Sequence, residues 1–113
     1  MARKPNDVPV IASMDLEIRK DGEDPAPYLI RIAAPQQVGT DEWVCYTVVE
    51  RSIECWAPIH GGDSLQALIL AVRFVRYMIN SMKEAGFHFH FPDGSDCDLS
   101  IYQLDSLKTD QRS

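Results

Sequence analysis

Gly61-Gly62-Asp63-Ser64-Leu65-Gln66-Ala67-Leu68 is the stretch on which the fold of the whole chain turns. Asp63 carries a short carboxylate that can accept from the free amides of a helix N-terminus. Gln66, three positions on, can reach back to complete a capping box. From Ser64 to Ala85 nothing interrupts a helix, and Gly86 then offers the left-handed cap at which helices stop. The spacing predicts roughly 22 helical residues, about 33 Å of helix, in a chain whose other segments read as short strands. One dominant helix must then lie across one modest sheet.

Placed on a helical wheel, Gln66, Arg73, Arg76, Asn80, Lys83 and Glu84 gather on an arc of roughly 100°. Leu68, Ala71, Val72, Val75, Met78, Ile79 and Met82 centre the opposite side. Ala67, Phe74 and Ala85 widen that side beyond the usual apolar stripe, and Leu70 and Tyr77 extend it further. A single sheet face covers little more than a third of a helix circumference. The surplus calls for a second cover, supplied by the C-terminal segment and by a second subunit.

Outward from the helix, the pattern changes to a period of two. Val8, Val10, Ala12, Met14, Leu16 and Ile18 alternate with their neighbours and mark a half-buried first strand, strongest from Ala12. Lys20 to Pro25 is turn chemistry, and a second strand follows with Tyr28, Ile30, Ile32 and Ala34 on one face. Pro35 to Glu42 reads as a loop. A third strand runs from Trp43 to Val49 and a fourth from Ile53 to Ala57, joined by a turn at Glu50-Arg51-Ser52, with Pro58 expected to end the fourth or sit at an edge. The third strand is apolar on both faces, so it is central or its outer face is covered. After Gly86, Phe87-His88-Phe89-His90-Phe91 predicts a fifth strand with aromatics on one face and imidazoles on the other. Leu99, Ile101, Leu104 and Leu107 then suggest a short helix or an irregular return packed on the main helix.

The expected fold is therefore α+β: a four-to-five-stranded, mainly antiparallel sheet, one long helix packed across one face, and a short C-terminal element. At 113 residues the chain is read as a single domain, 1–113, with an ordered core of about 8–107 and flexible ends at 1–7 and 108–113. A hydrophobic content of 45% with 25% charged residues places it among soluble globular proteins. The net charge of −6 argues against nucleic acid, whose phosphates require a basic face. The N-terminus lacks the apolar region of a signal peptide, and Ala67 to Val72 is too short to cross a bilayer. Cys45, Cys55 and Cys97 are odd in number and widely spaced, which suits reduced thiols and a cytoplasmic location rather than a disulfide framework.

His88 and His90 point the same way from one strand and, with Cys97, are the candidate metal ligands, but zinc wants four and no accompanying ligand spacing is present. Asp93, Asp96, Asp98 and Asp105 fail as a calcium loop, because Asp98 and Leu104 stand where glycine and glutamate are required. His60-Gly61-Gly62 before a helix could form an anion nest, yet Asp63 sets a carboxylate there. Glycines that let the chain turn sharply explain it better. Ser64 beside His60 lacks a nucleophile elbow. No acid, base and nucleophile assemble with recognisable spacing, so neither a catalytic residue nor a cofactor is expected. Trp43, Tyr46, Trp56, Leu70, Phe74 and Tyr77 remain as interface candidates, since aromatic side chains are enriched at binding hot spots.

The run Trp43-Val44-Cys45 on a strand, followed by Gly62-Asp63-Ser64-Leu65-Gln66-Ala67-Leu68 opening a helix, resembles a family of small uncharacterised bacterial domains with a W-x-C strand and a G-x-DSLQAL helix start. The similarity covers about residues 12 to 91. Here glycine directly precedes the aspartate, and the extension after Phe91 is longer than that pattern has. The resemblance implies strands followed by a helix in a bacterial cytoplasmic protein, and no activity.

On these grounds the expected function is that of a small non-enzymatic binding or interaction protein, with an immunity-type inhibitor of a basic toxin as one concrete form. A metal-dependent or ligand-binding module using His88 and His90, and a structural homodimer, are the alternatives. A protein partner or a second copy is expected, with no nucleic acid and no membrane.

Overall fold

The computed structural model describes residues 7–50 and 56–102. The α+β expectation is met: one helix packs against an open, antiparallel sheet. The strands are β1 (Val10–Lys20), β2 (Ala26–Ala33), β3 (Gln36–Gly39), β4 (Glu42–Glu50), β5 (Ala57–Gly61) and β6 (Phe87–His90). The helix α1 (Ser64–Glu84) separates β5 from β6, and a short 3-10 turn, Leu99–Tyr102, follows.

The pairings simplify this list. At Thr47, β4 is flanked by β2 on one edge and β5 on the other, and at Trp43 by β3 and β5. β2 and β3 therefore share one edge of β4 and form a single bent arm, broken at Ala34-Pro35. The sheet is thus five strands wide, in the order β5, β4, β2 with β3, β1, β6. The segment 35–42, expected to be a loop, supplies β3 and a tight turn in which Asp41 takes φ 60°. Aspartate tolerates that left-handed conformation better than most residues.

The fourth strand also differs from expectation. Its predicted start at Ile53 and the turn at Arg51-Ser52 lie outside the described residues, and the strand runs on through Pro58 as far as Gly61, with Pro58 opposite Tyr46. Proline is admissible there because β5 is the edge of the sheet. β1 contains one extra residue at Ile11, where the register shifts between Val10 and Ala12. A one-residue bulge flips the side-chain sense of everything before it. Val8 and Val10, in phase with Leu16 by count, are thereby sent to the opposite face.

That opposite face has a small core of its own. Val8, Ala33, Val48 and Trp56 are buried together, with Ala34 and Tyr46 packed against them. Ala34 N–H donates to the Pro9 carbonyl at 2.9 Å and holds the N-terminal segment in place. β4 is thus apolar on both faces because it is both central and covered on both sides.

The main core lies between sheet and helix. Leu16, Ile18, Tyr28, Ile30, Ile32, Cys45 and Val49 meet Ala67, Ala71, Val75 and Ile79 of α1. Tyr28 and Phe89 meet edge to face at 5.2 Å between centroids. The cap is formed largely as expected: Asp63 Oδ1 accepts from Gln66 N–H at 2.8 Å. Gln66 Oε1 accepts from Gly62 N–H, one residue before the cap rather than from Asp63 itself. Gly86 N–H donates to the Lys83 carbonyl at 3.0 Å with φ 99°, which ends the helix.

The helix carries the chain from the β5 edge of the sheet to the β6 edge, and its side-chain sizes track its distance from the sheet. Its backbone runs close over β4 and β5 at its start, where Ala67 and Ala71 are the buried residues. A Cβ on Gly61 would lie 2.5 Å from Ala67 N, so this glycine is required for space. The chain turns from β5 to α1 within two residues, as expected of Gly61-Gly62, but neither glycine has positive φ, and at Gly61 the requirement is for space. Farther along, Val75 and Ile79 span a wider gap over the middle of the sheet. Leu99 is buried against the same core, while the expected anchors Leu104 and Leu107 lie outside the described residues.

Candidate functional site

The gap that opens beneath α1 is the most distinctive surface feature. Ala12, Met14, Ile30 and Ile32 of the β1–β2 hairpin face Val72 and Val75 of α1 across an apolar cleft of about 330 Å³. Ser13 and Tyr102 border it. It exists because the hairpin extends past the region that α1 covers. Ala12 is exposed and Met14 half-buried, although both belong to the apolar alternation of β1.

The apolar surface continues onto the helix. Leu65 is 64% exposed, Ile69 49% and Val72 38%, and these positions share one side of α1 at i, i+4 and i+7. Val72 was expected at the centre of the buried side and Ala85 on its margin, but both are exposed. Periodicity identifies the face of a helix and not where the sheet beneath it ends. The excess apolar width read from the wheel lay on the opposite margin of α1, at Leu70 and Tyr77, and Leu65 and Ile69 fall within the arc of Arg76, Asn80 and Lys83. Beside the stripe, Asp63, Leu65, Gln66, Ile69, Leu70 and Arg73 line a shallow hollow of about 350 Å³.

The interface candidates do not share one surface. Trp43 and Phe74 are half-buried against the main core. Trp56 is buried in the opposite-face cluster and Tyr46 packs on it. Leu70 borders the shallow hollow, and Tyr77 is 60% exposed on the outer side of α1.

The candidate metal ligands are similarly dispersed. His88 and Cys97 border a polar hollow of about 370 Å³ beside β6, with Lys83, Asp96 and Asp98. His90 Nε2 lies 3.2 Å from Glu17 Oε1, a cross-strand partner on β1, and His88 Nε2 lies 3.6 Å from Asp21 Oδ1. His60 Nδ1, at the other side of the sheet, is 3.3 Å from Glu42 Oε2. Each imidazole thus faces one carboxylate, and no group of three or more His, Cys, Asp or Glu side chains converges among the described residues.

The thiols are held in their unreactive form. Burial pushes the Cys45 thiol up, partly offset by its hydrogen bond with Thr47, and its Sγ donates to the Ala33 carbonyl at 3.2 Å. Burial raises Cys97 as well, and the neighbouring Asp98 charge adds to the effect. Nucleophilic use of either would require a lowered value. Cys55 lies outside the described residues. Asp93 is shifted down by hydrogen bonds from Ser95 Oγ and Ser95 N–H, which close the turn after β6.

No helix among the described residues is long and apolar enough to cross a membrane. A family model described as a domain of unknown function (DUF6968) matches residues 12–105. No curated protein and no solved structure matches the chain.

Proposed function

The chain belongs to the DUF6968 family, whose description carries no activity, and from that premise we propose that it is a small non-enzymatic binding protein. Its working surface is the apolar cleft between α1 and the β1–β2 hairpin. The observation that carries this reading is the continuity of the cleft, through Val72, with the exposed side chains of Ile69 and Leu65. Contiguous exposed apolar surface on a soluble domain marks an interaction site far more often than scattered single residues do. By the same reading the protein works in a bacterial cytoplasm.

The test compares tagged wild-type protein with Val72→Asp in capture from a native lysate, read by mass spectrometry. A stoichiometric partner held by the wild type and lost from the variant is the expected result. Equal recovery by both would remove the cleft as the working surface.

A second copy of the chain could cover the same stripe, as a structural homodimer would require. Sedimentation of the purified protein decides between them: a concentration-independent monomer mass rejects the homodimer. An immunity-type role against a basic toxin suits the net charge of −6.

A further inference from the structure

We propose that the segment following Tyr102 occupies the apolar cleft through Leu104 and Leu107, so that a partner reaches the cleft only by displacing it. The competition rests on the binding-protein reading, whereas the occupancy stands apart from it.

Position is the first ground. The described chain stops at Tyr102, which borders the cleft together with Ala12, Met14 and Val72. Three residues earlier, Leu99 is buried in the main core, so the chain is pinned beside the cleft just before it leaves. Leu104 follows Tyr102 by two residues, a span of at most about 7 Å, and Leu107 by five, at most about 18 Å. Both leucines can therefore enter the cleft without any change in the fold.

Chemistry is the second ground. In Gln103-Leu104-Asp105-Ser106-Leu107-Lys108 the apolar side chains are those two leucines alone. A spacing of three suits one side of a helical turn and leaves Asp105 and Ser106 for solvent. An enclosed apolar space of about 150 Å³ takes one benzene-sized group, so a cleft of about 330 Å³ has room for two leucine side chains. The family match runs to residue 105 and takes in Leu104.

Tethering decides between this occupant and a separate chain. A segment joined to its site by a few residues acts at an effective concentration on the order of millimolar. A separate chain must exceed that advantage, and its apparent affinity falls with the fraction of molecules whose cleft is covered.

The test is methyl NMR on the full chain with isotope-labelled methionine and leucine. The Met14 methyl lies in the cleft, while Met78 and Met82 pack against the main core and serve as references. Overhauser contacts from Met14 to the Leu104 or Leu107 methyls are expected in the wild type, and their absence overturns the proposal whether or not any variant folds. Leu104→Ser with Leu107→Ser should move the Met14 signal and raise anilinonaphthalene sulfonate fluorescence at least about threefold, with circular dichroism unchanged. Adding Val72→Asp should cancel that rise, and a rise that survives it overturns the assignment to the cleft. In lysate capture the double variant should recover at least about threefold more of the partner that Val72→Asp loses. Equal recovery overturns the competition. If the contacts are absent but Val72→Asp still loses a partner, the segment falls and the binding protein stands. If the contacts are present and no partner is lost on Val72→Asp, the binding-protein reading falls and the competition with it.

Discussion

The two margins of the helix–sheet interface are built on opposite principles. Where α1 begins, Gly61 of β5 lies so near Ala67 that a methyl group could not be inserted. Over the β1–β2 hairpin the same helix stands away from the sheet, and Met14, Ile30 and Ile32 look into an open cleft. The closed margin consists of glycine and alanine, and the open one is lined mostly by branched and flexible side chains. Fixing the helix at one end leaves the other margin free to present apolar surface without loosening the core.

Substitutions along this interface should grade from severe to negligible. Ile79→Ala hollows the middle, where the side chain is fully buried, and should lower stability by about 3 kcal/mol, measured by urea unfolding. Gly61→Ala strikes the closed margin, where backbone rather than a flexible side chain is in the way. A loss of about 2 kcal/mol is expected; a variant as stable as the wild type would show that the margin is not tight. Asp63→Ala removes the acceptor for Gln66 N–H and should cost about 1 kcal/mol, visible as a lower thermal midpoint. Val72→Ala at the open margin should change stability by no more than about 0.5 kcal/mol. A larger loss there would mean that the cleft is part of the core after all.

Local features were legible in the sequence and distant ones were not. Asp63, Gln66 and Gly86 announce the helix ends because capping is decided within a few residues, and the observed helix departs from the expected one only at Ala85. The strand alternation of Leu16 and Ile18 was equally direct. By contrast, Gln36-Gln37-Val38-Gly39 forms a strand because β4 lies beside it, not because its residues favour one. The single-residue bulge at Ile11, which sends Val8 to the opposite face, has no signature in composition. Val72 was placed in the core because the wheel gives direction but not the extent of the sheet. For the candidate site, the excess apolar width read on α1 pointed to the Leu70 and Tyr77 margin and missed Leu65 and Ile69, while the cleft required knowing that the hairpin outruns the helix. The histidine pairings could not be read at all, since Glu17 and His90 meet only through the antiparallel placement of β6 against β1.

Pro58 has one further consequence. It sits within the outermost strand, pairs in register with Tyr46, and has no N–H to offer a neighbour. At the far side of the sheet, His90 of β6 is bridged by Asp96 as the chain doubles back. Edge strands are the usual seeds of runaway strand-to-strand assembly, and prolines and covering segments are the usual safeguards. Here one border lacks a donor and the other is partly occupied. The molecule can therefore expose sticky side chains along its helix while its β5 and β6 borders discourage strand-to-strand growth.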